Sequence, residues 1–404
     1  MTNASTNSFQ EGAQAIKYCL SEVNQQGCRV LLSIPTLAII ICCNLLKVII
    51  MIMMFRTRNS NAKPLVTRGD AIQSFIELPD PTTDDMCLYD KNMIEKGFWE
   101  RAKLPQEYYP RKRLWFGACS TKRWVITNVM AVATLVVLGA VNFSFPKSIS
   151  DAWLLGLDTA ASEQTVVNIG MTGKGLSGVV SNLLLADLPQ ALFSLLFLSY
   201  NSLFTFMYAA DEWHRFAHEK KTLRVSSPIG DQRSTYWLQM PYKAAFPLVA
   251  IAFVFHWLIS ESLYFSRIAI YDLDGKYVPE NDISTIGYSF KPLVLVLCLG
   301  ILVVCGFGII SGFVRFKAGL PLAGGCSAVI SAACHGAAQG DCGDDVLRPL
   351  KWCVVCGADS LQEAGNKTQH THWREEFWNS RDLPGHCAFS SAELAMPTPG
   401  HFYK

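Results

Sequence analysis

Polar and ionisable residues inside apolar segments are where this 404-residue chain offers chemistry. Asp187, Gln190, Ser194, Asn201 and Thr205 follow an i, i+3, i+7, i+14, i+18 spacing, which places them on one helical face. With His256 and Glu261 from a later apolar segment they form a candidate transport path, because ionisable groups inside a membrane mark such paths by default. Glu261 is expected at the depth of Asp187, close enough for the two carboxyls to share a proton. The same stripe also suits hydrogen bonding between packed helices, and that reading weighs more.

A weaker constellation is Asp211, His214 and His218. Their i, i+3, i+7 spacing suits a metal held on one helix face. Membrane di-iron enzymes pair such a box with further HxxHH boxes, and the eight histidines here include no adjacent pair. Cys353-Val-Val-Cys356 has zinc-knuckle spacing but no second CxxC or CxxH, and Val-Val suits a strand. No G-x-S-x-G elbow or HExxH motif occurs. The sequence therefore leans away from an enzyme, and no metal or cofactor is expected.

The elements that must position these residues are apolar. Half of the residues are hydrophobic, 17% are charged and the mean hydropathy is +0.22, against about 25% charge in soluble domains. A formal charge of +2 excludes a strongly basic nucleic-acid binder. Five segments reach the roughly 20 apolar residues needed to cross a bilayer: 30–55, 124–143, 179–208, 245–264 and 293–314. The expected fold is all-α integral membrane, a bundle of about five transmembrane helices with small irregular and β-hairpin elements. The segment 320–333, short and rich in Gly, Ala and Ser, is expected to pack or lie at the interface.

Loop charge sets the orientation. Lys and Arg number 2, 13, 2, 6, 3 and 8 in residues 1–29, 56–123, 144–178, 209–244, 265–292 and 315–404. Basic residues favour the cytosolic side. The N-terminus is then outside and the tail inside. The expected division is a luminal or extracellular segment 1–28, a membrane domain 29–318 with cytosolic loop 56–123, and a cytosolic tail 319–404. Residues 1–28 are polar and show no cleavable signal peptide.

Within the loops, Thr67 or Asp70 can cap a short helix whose Ile72, Phe75 and Ile76 share an apolar face, ended by Pro79 and Pro81. Arg111, Lys112, Arg113, Lys122 and Arg123 surround Trp115 and Phe116. This cluster is first a positive-inside signal and second a site for anionic lipid. Asp274-Gly275 reads as a hairpin turn, while the runs Leu350–Val355 and Cys387–Ser390 suggest a small hairpin in the tail. Neither a calcium loop around Asp272 and Asp274 nor a phosphate loop at 170–178 has its full ligand pattern. Cys19 and Cys28, the outer pair, are expected to form a disulfide. Gly308 and Gly312 form a GxxxG pattern that allows close helix packing, within the chain or in a homo-oligomer. The partners implied are the lipid bilayer, anionic lipid at the cytosolic face, and no nucleic acid.

Four stretches carry a resemblance: PLVTRGDAIQSFIELPDPTT (64–83), SPIGDQRSTYWLQMPYKAAFPLVAIAFVFHWLIS (227–260), GLPLAGGCSAVISAACH (319–335) and GHCAFSS (385–391). Together with SNLLLADLPQALFSLLFLSYNSLFT they resemble a large fungal family of multi-pass membrane proteins of unknown function. The likeness runs over nearly the whole chain. Members are longer, with a further membrane domain ahead, so this chain resembles their C-terminal half. The resemblance implies a membrane location and a fungal source, in the plasma membrane or endomembranes, and brings no activity or catalytic residue. Three function classes follow: a scaffold or interaction protein first, a channel or transporter using the Asp187 stripe second, and a membrane-embedded metalloenzyme last.

Overall fold

A computed structural model describes residues 34–57, 65–97, 104–144, 166–167, 175–268, 272, 283–335, 346–356, 385–392 and 394–404. Among the described residues, five helices are long and apolar enough to cross a membrane. The chain divides into two units, 1–64 and 65–404.

The first unit contributes α1, Ile34–Thr57. Its side chains from Leu37 to Arg56 are exposed all round. A helix with no polar face matches an apolar solvent.

The second unit holds the other four long helices: α4 Thr121–Ser144, α5 Gly175–Arg215, α6 Tyr242–Ser262 and α7 Phe290–Phe313. They form a ring of neighbours in which α4 meets α5 and α7, and α6 meets α5 and α7. Phe255, Leu258, Leu293 and Val296 pack with Leu138 toward one end. Trp124, Tyr200, Leu203, Met207 and Phe307 pack toward the other. The outer faces stay apolar and exposed, as in Val125, Val129, Val132 and Val136 of α4.

α5 has 41 residues. At 1.5 Å per residue it is about 60 Å long, roughly twice the hydrocarbon thickness. Its surplus turns carry Trp213 into a separate core beyond the bundle. That core is assembled from distant segments. α2, Arg68–Glu77, buries Ile72 and Ile76 there, and Phe75 packs against it. The short α8, Ser327–Ala332, buries Val329 and Ile330. So 320–333 is packed protein, as its small residues suggested. Strands β7, Lys351–Cys356, and β8, His386–Ser390, pair antiparallel with Trp352 opposite Phe389. Trp352 and Cys387 are fully buried. β1, Gln106–Glu107, pairs with β9, Phe402–Tyr403, closing the chain terminus onto the loop before α4. The short α3, Lys91–Glu95, is capped by Asp90.

The described parts of three segments, 65–120, 216–241 and 315–404, thus share one folded body at the C-terminal end of α5. At the N-terminal end of α5, β5, Leu263–Ile268, pairs with β6, Ile283–Tyr288, and β6 with β2, Val166–Val167. Asn182 Nδ2 donates to the Ser284 carbonyl at 2.9 Å, tying this sheet to α5. The turn at Asp274-Gly275 lies outside the described residues.

Candidate binding cavity

A cavity of about 720 Å³ opens where α5 leaves the bundle and enters the body. One wall is α5 from Asn201 to Trp213. The opposite wall is the start of α2, with the segment 235–239 and Gly324-Gly325 completing it. The lining is largely apolar, including Phe206, Trp213, Leu223, Trp237 and Ile330.

The α2 wall is fixed by local chemistry. Thr67 is the N-cap, and its hydroxyl accepts from the Asp70 N–H at 3.0 Å while the Asp70 carboxylate accepts from the Thr67 N–H at 2.8 Å. This is a capping box, with Thr67 rather than Asp70 as the N-cap. Asp70 Oδ1 also accepts from the backbone N–H of Ser226 at 2.8 Å, and Thr67 Oγ1 donates to the Arg224 carbonyl at 2.9 Å. Gly69 makes this approach feasible, since a Cβ there would sit 2.1 Å from the Arg224 carbonyl oxygen. The N-terminus of α2 is thereby pinned against β3, Arg224–Val225, which pairs in parallel with β4, Arg233–Ser234.

Arg224 is fully occupied. Its Nε lies 3.4 Å from Glu212, and its Nη2 donates to the Tyr236 hydroxyl at 2.8 Å. Its Nη1 donates to the Ser234 carbonyl at 3.2 Å, and the guanidinium stands 3.9 Å from the centre of the Tyr236 ring. Trp213 Nε1 donates to the Pro321 carbonyl at 2.9 Å. Two polar atoms of cavity-lining residues are left over. Arg68 Nη1 and Asn201 Oδ1 are buried with no hydrogen-bond partner among the described residues. Burial pulls the Arg68 guanidinium down to about 10, against the nearby Glu212 carboxylate, which supports the charge.

A second hollow of about 790 Å³ adjoins the first and shares Glu212, Arg224, Tyr236 and Gln239 with it. It is ringed by Arg215, Lys220, Lys221, Arg224, Arg233 and Lys243. The acids facing them are Asp211, Glu212 and Glu219, and each is paired with a base. The hollow is therefore a basic surface.

The transport-path candidates disperse. Asp187 is exposed and Glu261 partly so, and no hydrogen bond or ion pair joins them. Gln190 is engaged with His256: its Nε2 donates to the His256 carbonyl at 3.0 Å, and its Oε1 meets His256 Nδ1 at 2.7 Å. Ser194 donates back to the Gln190 carbonyl at 2.9 Å. Of the stripe, Asn201 and Thr205 reach the cavity.

The metal candidates also part. Asp211 pairs with Arg215 at 2.5 Å. His214 stacks on Phe316 with ring centroids 5.0 Å apart. α5 ends at Arg215, so His218 leaves the helical face and its Nε2 lies 2.6 Å from the Ala318 carbonyl. Within the basic cluster, Arg113 pairs with Asp90, and Arg123 lies 4.7 Å from the centre of the Phe206 ring. Arg111, Lys112 and Lys122 are exposed. Gly308 and Gly312 face open space within this unit, with nothing within 4 Å of an added Cβ. Cys19 and Cys28 lie outside the described residues.

Nothing in the sequence spacing brings Arg68, Arg224, Trp213 and Tyr236 together. Arg68 stands in the sequence as one of the 13 basic residues of 56–123. The usable signal was the glycine directly after it, which marks a close backbone approach.

Residues 96–403 match the model of a family described as Domain of unknown function (DUF8419). The chain belongs to this family. No curated protein and no solved structure matches it significantly.

Proposed function

We propose that this family member is a multi-pass membrane protein of the scaffold or binding class, in a fungal plasma membrane or endomembrane. The α4–α7 ring anchors it, and the body beyond α5 is its working part on the cytosolic face. One observation carries the reading. The described parts of the three segments rich in Lys and Arg come together in one body, and those of two of the three poor ones, 144–178 and 265–292, meet in the sheet at the opposite end of α5. Basic segments stay on the cytosolic side, so chain topology and loop charge agree.

Passage through the bundle is the weaker reading, because Gln190 and His256 satisfy each other and Asp187 stands apart from Glu261. The test is tag accessibility in sealed vesicles. Tags at the N-terminus and after Lys404 should be reached from opposite sides. Reach from the same side would overturn the five-span topology.

A further inference from the structure

We propose that the cavity between α2 and α5 binds an anionic lipid, its acidic headgroup held by Arg68 and Asn201 and its acyl part lying along Phe206 and Trp237. This rests on the membrane reading above and adds the ligand class.

Four observations converge. The first is size. About 720 Å³ is far more than one or two waters need, at about 30 Å³ each, and falls within the range of ligand pockets.

The second is unmet bonding. A buried cation is normally paired, yet Glu212, the nearby acid, already holds Arg224. The charge of Arg68 and its buried, unpartnered Nη1 call for an anion. Asn201 Oδ1 calls for a donor. A headgroup combining an acidic phosphate with a hydroxyl or amine supplies both; a bare fatty carboxylate supplies only the first.

The third is position. Phe206 belongs to the apolar span of α5, whereas Arg68 and Arg224 belong to the body. The cavity thus bridges the level of acyl chains and the level of headgroups. Trp237 is exposed at its mouth, and tryptophan favours that interface.

The fourth is charge. The adjoining basic hollow draws anions toward the shared wall at Glu212, Arg224 and Tyr236.

The experiment uses the full chain in nanodiscs of phosphatidylcholine, alone or with phosphatidylinositol or phosphatidylserine. The readouts are the thermal-unfolding midpoint and native mass spectrometry of retained lipid. The wild type should unfold at higher temperature and retain lipid when either acidic lipid is present. Arg68→Gln and Asn201→Leu should each lose that gain. Loss of a charge-assisted bond at Arg68 corresponds to about tenfold weaker retention or more. In phosphatidylcholine alone Arg68→Gln should unfold no earlier than wild type, since an unpaired buried charge is removed. The surface pair Arg111→Gln with Lys112→Gln should keep the gain.

Equal gains in wild type and Arg68→Gln would overturn the proposal. So would a gain lost only in the surface pair. An equal response to inorganic phosphate or soluble glycerophosphoinositol in phosphatidylcholine discs would also overturn it, by showing an anion site with no need of acyl chains. Should Arg68→Gln fail to fold, Asn201→Leu decides by the same readouts. Opposite-side tags with no lipid response would sink this proposal and leave the topology standing.

Discussion

The carboxylate of Asp70 and the backbone N–H of Ser226 meet at 2.8 Å across 156 residues of sequence. One side chain therefore closes the capping box of α2 and ties that helix to the segment after α5. Replacing Asp70 by Ala removes both roles. The expected loss is about 2 kcal/mol, from a cap worth roughly 1 and a charged hydrogen bond worth about as much or more. Chemical denaturation in detergent measures it.

The same carboxylate gives a pH dependence. Burial disfavours its ionisation, but hydrogen bonds from the backbone and side chains of Ser226 and Thr67 outweigh this and hold it below the ordinary aspartate range. A group depressed in the folded state stabilises above its unfolded pKa, about 3.9. That contribution fades as pH falls from there through the folded value. Wild type should therefore lose more stability than Asp70→Asn on acidification over that window. Parallel acid-unfolding curves would refute the role given to Asp70.

Gly69 is the steric counterpart of that tie. An added Cβ meets the Arg224 carbonyl oxygen at 2.1 Å, and backbone cannot swing aside as a side chain can. Gly69→Ala should cost about 3 kcal/mol, at the upper end for overpacking. Gly117→Ala, where nothing lies within 4 Å of the new Cβ, should stay within about 0.5 kcal/mol. Unfolding midpoints of the two variants, side by side, check the contrast.

Much of the anchor was legible because membrane solvent writes itself into sequence. A span needs about 20 apolar residues whatever its partners, so 124–143 foretold Thr121–Ser144 and 293–314 foretold Phe290–Phe313. Local chemistry was equally readable: Thr67 and Asp70 are three residues apart, and the runs Leu350–Val355 and Cys387–Ser390 foretold β7 and β8. The cavity was not readable. Arg68, Asn201, Arg224 and Gly324 become neighbours only through tertiary docking, which no spacing encodes. Spacing alone does not keep Asp211, His214 and His218 on one face. The helix stops at Arg215, and nearby partners (Arg215, Phe316 and the Ala318 carbonyl) claim each side chain separately.

Gln190 and His256 bridge α5 and α6 with a two-point contact. Removing one partner strands the other. Gln190→Leu should destabilise by about 1–3 kcal/mol, the cost of an unmet buried polar group. His256→Phe keeps the ring that meets Phe193 edge-on at 4.9 Å while losing the Nδ1 contact. A double-mutant cycle should show coupling of at least about 0.5 kcal/mol, as expected for residues in direct contact. Additive effects would place the two side chains apart in the folded protein.

The cysteines of the body offer a probe of its packing. Cys334, Cys353 and Cys387 are buried, and burial pushes each thiol up from its ordinary range. Cys353 and Cys334 are further engaged with the backbone carbonyls of Ala388 and Ile72. Since the thiolate is the reactive form, all three should resist a short pulse of N-ethylmaleimide at neutral pH. Cys326 is only partly buried and should label first among these four. Peptide mapping after the pulse separates them, and brief denaturation before it should make all four react alike. Labelling of Cys334 as fast as Cys326 in the folded protein would mean that α8 does not stay docked on α2. The cavity wall at Gly324-Gly325 would then be loose as well, because it leads directly into that helix.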